Sequence, residues 1–139
     1  MGLKSYNLAH CTILCDGVPM GGFADGDAVT VEYESEIWSD VVGADGEVTR
    51  SALNDRRASI TFHLKDTSDL NAFFRAKVQL ARTVGAGDVF SFFLKDLGLK
   101  ETVTAREVWV KTDAGTSKAQ ESGNREWACM GADVSIVQA

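Results

Sequence analysis

The sequence has little of what catalysis or membrane insertion requires. Its 139 residues include two histidines and three cysteines, and no apolar run approaches the length of about eighteen residues that a membrane-spanning helix needs. The N-terminus lacks the basic start, the long apolar stretch and the cleavage site of a secretory signal. We therefore expect a chain with no membrane partner that is made in the cytoplasm and stays there.

Neither histidine lies in a catalytic motif. His10 stands beside the first predicted strand and His63 on the polar face of a later one, without a serine, cysteine or carboxylate pattern around either. The glycine-rich runs GGFADGD and GAGD lack the lysine of a phosphate loop, and the acidic residues do not have EF-hand spacing. These runs are typical of turns. We predict no catalytic residue, no metal site and no cofactor, so the chain is expected not to be an enzyme.

The cysteines are Cys11, Cys15 and Cys129, an odd number that cannot pair completely within one chain. If Cys11 and Cys15 share a strand, their Cα atoms are about 13 Å apart, too far for one disulfide or one tetrahedral metal ion. One interpretation is that all three are small buried apolar residues. The other is a disulfide between subunits, through any of the three.

The composition is that of one ordinary globular domain covering residues 1–139. Apolar residues make up 45% of the chain and charged residues 24%, which is enough apolar material for a single core. The net charge is −6, so binding of nucleic acid by neutralising its phosphates is not expected.

Apolar and polar residues alternate along most of the chain, which is the pattern of strands with one wet face. Between them, residues 67–82 change to a helical period, and Gly85 follows where the helix should end. The last strand is expected to bend near Gly131. This order predicts a mainly β fold, an antiparallel β-sandwich or barrel with one flanking α-helix. The predicted strands are residues 9–15, 18–20, 28–33, 37–42, 57–64, 89–94, 103–111 and 125–137.

The segment from Gly43 to Arg57 joins two predicted strands and is too long for a tight hairpin turn. Charges of both signs crowd it, so it is too polar for a core. We predict a long inter-strand connection at about 43–57 that forms a surface for contact with another protein. The candidate interface residues are Asp45, Glu47, Arg50, Asn54, Asp55, Arg56 and Arg57.

The run VGADGEVTRSALNDRRASITFHL at residues 42–64 closely resembles the central motif of a family of phage tail tube proteins found with contractile tails. The opening LKSYNLAHCTILCDGVPMGGFADGDAVTVE at residues 3–32 is similar to that family's first hairpin and second strand. Residues 106–111 and 125–134 resemble its later strands. The resemblance covers most of the chain and keeps the family's order.

The resemblance implies two packed antiparallel sheets with a helix at the side. It further implies a structural protein of the virion tail, in which hexameric rings stack into a hollow tube for DNA ejection inside a contractile sheath. The implied partners are other copies of the chain, the tail sheath protein, the baseplate and tail terminator proteins, the tape measure protein and the transiting DNA. A type VI secretion tube protein, which has a similar build, is one alternative. A hydrolase or ligand-binding domain on a β-sandwich is another.

In such a tube the net negative charge of the chain would keep DNA from binding to the lumen, because an acidic wall of small polar residues repels phosphate. The polar faces of two predicted strands supply candidates for that wall. The ordinary alternative is a solvated sheet surface. The lumen-facing candidates are Thr30, Glu32, Glu34, Ser59 and Thr61.

Overall fold

A computed structural model describes residues 11–19, 29–116, 118, 120 and 123–138, which form ten strands and one helix. Helix α1 spans Leu70–Thr83. The predicted mainly antiparallel fold with one flanking helix is confirmed, although the sheets do not close into a barrel. The strands are β1 Cys11–Cys15, β2 Val18–Pro19, β3 Val29–Tyr33, β4 Trp38–Val42, β5 Val48–Ala52, β6 Ala58–Lys65, β7 Phe90–Asp96, β8 Glu101–Thr112, β9 Asn124–Gly131 and β10 Val134–Gln138.

The main sheet has the order β2-β1-β7-β8-β9-β6-β3, with β10 also paired to β8. It curls over on itself. Phe62 of β6 and Phe92 of β7 are three strand positions apart, about 14 Å in a flat sheet. Their ring centroids are nevertheless 5.6 Å apart. The two halves of the sheet therefore face each other, and the core lies between them.

Side-chain periodicity accounts for the core. In β6 the residues Ala58, Ile60, Phe62 and Leu64 are all buried, as their alternation predicts. Helix α1 buries Phe74, whose ring stacks on the ring of Trp127 at 5.4 Å. The same described helix does not have the length and apolarity to cross a membrane.

The helix ends where glycine permits it. Gly85 has φ +75°, and its backbone N–H donates to the carbonyl oxygen of Leu80 at 3.0 Å. This left-handed position caps the last turn and costs glycine little. The helix begins three residues later than predicted, at Leu70, because residues 66–69 form turns before it.

Strands β9 and β10 behave as one strand bent after Gly131. Both pair antiparallel with β8, β9 along residues 108–112 and β10 along residues 101–105. A Cβ on Gly131 would lie 2.5 Å from Cγ2 of Val134, so only glycine fits at the bend. The predicted bend near Gly131 is confirmed.

The predicted connection at 43–57 needs correction, because it is not a single loop. Its residues Val48–Ala52 form β5, which pairs antiparallel with β4 in a separate two-stranded sheet. The turn between them is closed by Gly43, whose N–H donates to the carbonyl oxygen of Glu47 at 2.7 Å, and by Gly46 at φ +86°. The β-branched residues of both strands favour this hairpin. We call residues 34–57 the arm.

Candidate functional site

Most of the arm is exposed. All residues of β5 are exposed, and so are those of β4 except Ser39. Val41, Val42 and Val48 are 67%, 64% and 63% exposed. An isolated two-stranded hairpin is only marginally stable in water. The stability of the arm therefore depends on the contacts at its base and on any contacts made at its tip.

The two faces of the arm differ in charge. Cross-strand pairing puts Asp40 opposite Arg50 and Trp38 opposite Ala52 on one face. On that face the guanidinium carbon of Arg50 lies 4.2 Å from the ring centroid of Trp38. The other face carries Val41 and Thr49 without charged side chains. Arg50, a predicted interface residue, is thus held in place by a cation–π contact.

A polar cluster fixes the base of the arm. The carboxylate of Asp55 accepts hydrogen bonds from Ser35 Oγ at 2.6 Å, from the Arg57 backbone N–H at 3.1 Å, and from Arg57 Nε and Nη2 at 2.9 Å each. The hydrogen bonds from the Arg57 side chain, followed by the one from Ser35, hold the pKa of Asp55 well below its usual range. Ser35 precedes β4 and Asp55 follows β5. Their hydrogen bond therefore joins the two chain segments at the base of the arm.

Backbone hydrogen bonds reinforce the same junction. Leu53 N–H donates to the carbonyl oxygen of Ile37, and Glu34 N–H donates to that of Arg57, both at 3.0 Å. The junction therefore sets the direction in which the arm leaves the sheet.

The predicted interface residues have different roles in this geometry. Asp55 and Arg57 bind each other and shape the base of the arm. Asp45 shapes the tip, where its Oδ1 accepts a hydrogen bond from the backbone N–H of Glu47 at 3.1 Å. The side chains left exposed around them are those of Glu47, Asn54 and Arg56.

A groove of about 490 Å³ lies between the arm base and β10. Tyr33 forms part of its wall, and the Tyr33 hydroxyl donates to the carbonyl oxygen of Val134 at 2.7 Å. The Val134 N–H donates in turn to the carbonyl oxygen of Arg56 at 3.1 Å. Sequence reasoning missed this groove because its two sides are about 80 to 100 residues apart in the chain, Tyr33 and Val134 being separated by 101.

Four of the five lumen candidates lie on one sheet face. In the β3–β6 register Thr30 is opposite Thr61, and Glu32 is opposite Ser59. This face is the reverse of the one that buries Ile60 and Phe62. The fifth, Glu34, follows β3 and is the first residue of the arm.

The same face continues onto β9. There His63 pairs with Glu126, and His63 Nδ1 lies 3.9 Å from Glu126 Oε2. The sequence identified His63 as polar-facing but did not reveal its neighbour. The face therefore carries a histidine–glutamate pair beside its small polar residues.

The structure restricts the predicted disulfide between subunits. Cys15 and Cys129 are buried in the core. Burial raises the pKa of Cys15 to about 12 and also raises the pKa of Cys129. A crosslink through either thiol would require the core to open, whereas Cys11 is partly exposed. The disulfide prediction therefore remains only for Cys11.

Within the part of the chain that the structure describes, no three His, Cys, Asp or Glu side chains are grouped to hold a metal ion. His10 lies outside the described residues.

Solved structures with a similar fold come from contractile injection systems. The cap that terminates the tube of the anti-feeding prophage matches with a TM-score of 0.64 and 7% identity, over 100% of this chain and 95% of that one. The sheath/tube terminator of an extracellular contractile injection system, PVC, matches with a TM-score of 0.62 and 10% identity, over 97% and 98%. A chain of the PVC sheath–tube complex matches with a TM-score of 0.58 and 8% identity, over 97% and 93%. At these identities the likeness shows the fold.

In sequence, no curated protein matches the chain. The family model described as bacteriophage PhiTE tail tube protein matches residues 4–138, nearly the whole sequence. The earlier resemblance to phage tail tube proteins is thereby confirmed, and with it a structural role in the virion tail. The chain belongs to the PhiTE tail tube protein family.

Proposed function

We propose that the chain is the repeating subunit of a phage tail tube, whose copies form hexameric rings that stack into a hollow conduit for DNA ejection. A contractile sheath surrounds this conduit, and baseplate and terminator proteins close its ends. A tape measure protein occupies its lumen before DNA passes. Synthesis takes place in the host cytoplasm. The observation that carries the proposal is the arm, a hairpin held at its base by hydrogen bonds while its strands are exposed to solvent.

The arm suits a repeating assembly. It contributes no residue to the buried core, so folding of the lone subunit does not explain it. A projection that docks onto a different surface of the next copy makes a heterologous contact, and such contacts close into rings or continue as filaments. The same assembly would also stabilise the edge strands of the main sheet, since pairing between copies removes an exposed edge.

Charge on the arm sets the register between copies in this proposal. Asp45, Glu47, Arg50 and Arg56 present both signs to a neighbour, and complementary charge favours specificity more than raw affinity. Asp55 and Arg57 act indirectly by holding the angle of the arm. Asn54 faces the groove beside the arm base and adds a polar contact there.

The polar face of β3 and β6 lines the lumen in this proposal, through Thr30, Glu32, Ser59 and Thr61, with Glu34 at its margin. A wall of hydroxyls and carboxylates offers phosphate few donors. Replacement Glu32→Lys in β3 should slow DNA ejection from otherwise normal virions, and Lys118→Glu, a charge reversal at an exposed residue between β8 and β9, should not. Unchanged ejection in Glu32→Lys virions would argue against the lumen assignment.

Negative-stain microscopy of the purified protein tests the proposal directly. Hollow filaments or stacked rings are expected, and charge reversal at Arg50 or Arg56 should shorten them. Single rings that never elongate would indicate a terminating cap instead. A strict monomer at high concentration would overturn the proposal, and filaments of unchanged length in both reversals would overturn the role given to the charges.

A further inference from the structure

The turn between β7 and β8 holds two leucines in solvent. Leu97 is 61% exposed and Leu99 is 50% exposed. Asp96, only 5% exposed, directs its Oδ1 at the backbone of this turn and accepts hydrogen bonds from Gly98 N–H at 2.9 Å and Leu99 N–H at 3.2 Å. A buried carboxylate is costly unless its hydrogen bonds are made. These hydrogen bonds hold the conformation of the turn, and we call residues 96–100 the leucine turn.

Strand β10 extends this apolar surface. Val137 is exposed opposite Thr102 of β8, and Gln138 Nε2 donates to the carbonyl oxygen of Leu99 at 3.3 Å. Two exposed lysines, Lys95 and Lys100, flank the leucines. The patch is thus apolar in the middle, with two exposed lysines and the partly buried Glu101 at its sides.

The tip of the arm has the opposite character. We call Val42 and Val48 the valine tip, since these cross-strand partners are the exposed large apolar side chains on the Asp40 face beside the turn of the arm. The acidic residues around them are Asp40, Asp45 and Glu47, all exposed. The basic residue on this hairpin, Arg50, is engaged with Trp38. The tip is therefore apolar in the middle and acidic at its sides.

We infer that the valine tip of one copy docks onto the leucine turn of another copy, with Glu47 and Asp45 facing Lys95 and Lys100. The two surfaces are complementary in charge and alike in apolarity. Both are exposed at once in a single copy, so they do not cover each other. Contact between two different patches repeats from copy to copy, which is the interface that an open stack requires. This inference rests on the proposed tube function and adds the surface that receives the arm.

Carbodiimide coupling tests the contact in the unmodified protein. This reagent joins a carboxylate to an amine only when the two are in contact. Tubes are assembled from equal amounts of ¹⁵N-labelled and unlabelled protein, coupled and digested. Mixed-label peptides that join Glu47 or Asp45 to Lys100 or Lys95 are expected. Assembled tubes that yield other crosslinks between copies but never these would overturn the inference.

Charge exchange provides a second test. Glu47→Lys and Lys100→Glu, each alone, should raise the protein concentration needed for assembly by about tenfold, because each places like charges together. The double variant Glu47→Lys/Lys100→Glu should return that concentration towards the wild-type value. The matched control for Lys100→Glu is Lys118→Glu, which makes the same charge change at an exposed residue between β8 and β9 and should have no effect. Circular dichroism verifies that every variant is folded.

The outcomes separate this inference from the proposed function. If the wild-type protein forms tubes and neither single variant changes assembly, the leucine turn does not receive the arm, while the tube function stands. If the single variants fail and the double variant is not rescued, the arm meets a different surface. If the folded wild-type protein forms no tube at any concentration, the proposed function fails and the inference fails with it.

Discussion

The indole Nε1–H of Trp127 donates a hydrogen bond to the side-chain carbonyl oxygen of Asn71 at 3.0 Å, across 56 residues of sequence. The amide nitrogen of Asn71 donates to the backbone carbonyl oxygens of Lys65 at 2.9 Å and Ser68 at 3.0 Å. One buried side chain thus joins the helix start, the preceding turn and β9.

Replacing Asn71 with alanine should lower the free energy of unfolding by about 2 kcal/mol, because the Trp127 N–H and two backbone carbonyls lose their partner inside the protein. Urea unfolding followed by tryptophan fluorescence measures this. The control is Asn54→Ala, an exposed amide, which should change stability by less than about 0.5 kcal/mol. Equal stability of the two variants would show that Asn71 is not a structural anchor.

Asp55→Asn should loosen the arm without unfolding the domain. The pKa of Asp55 is lowered in the folded protein. The stabilisation of the arm base by the ionised Asp55 carboxylate is therefore fully present above the unfolded pKa of about 3.9, and it is lost as the pH falls through the folded pKa. Hydrogen-exchange protection of the Leu53 amide should therefore fall as wild-type protein is taken from pH 5 into more acidic solution. In Asp55→Asn protein this protection should be low throughout and lack that step.

Protection of the Cys129 amide in β9 provides the internal reference for the Asp55 experiment, because β9 lies within the main sheet. It should be the same in both proteins at pH 5. A wild-type arm whose protection does not change with acid would contradict a role for the Asp55 carboxylate.

Gly131→Ala should destabilise the domain by about 1–3 kcal/mol, because the added methyl group overlaps the side chain of Val134. Thermal unfolding measures the loss. In a Val134→Ala background the overlap partner is absent, so the same glycine replacement should cost much less. An equal cost in both backgrounds would assign the effect to the backbone at the bend.

The buried thiols should be unreactive in the folded protein. The raised pKa of Cys15, about 12, leaves almost no thiolate at pH 8, and the core shields both Cys15 and Cys129. Ellman's reagent should modify these two cysteines only after unfolding. Any disulfide-linked dimer in assembled tubes should disappear in Cys11→Ser protein, and a dimer that persists there would show that the core opens.

Elements that face the core were predictable from the sequence. Alternation in β6, the helical period of α1 and the position of Gly131 all record which side of the chain is buried. The family motif identified the protein class as well, because it lies in a continuous stretch of sequence.

Features that depend on distant residues were not predictable. Strand β5 was missed because an exposed strand has no buried face and hence no apolar alternation. The pairing of Asn71 with Trp127 and the groove between Tyr33 and Val134 join residues far apart in the chain. Asp55 and Arg57 were selected as interface charges because sequence shows charge but not the partner that neutralises it.

The exposure of the arm has a consequence for how the protein can evolve. Because β4 and β5 contribute no residue to the core of their own subunit, substitutions there are expected to have little effect on folding. In the proposed tube, the surface of the neighbouring copy that receives the arm constrains them instead, and that surface is encoded in the same gene. The two can therefore drift together, so that subunits of diverged tubes would fold equally well yet fail to mix when they meet in one infected cell.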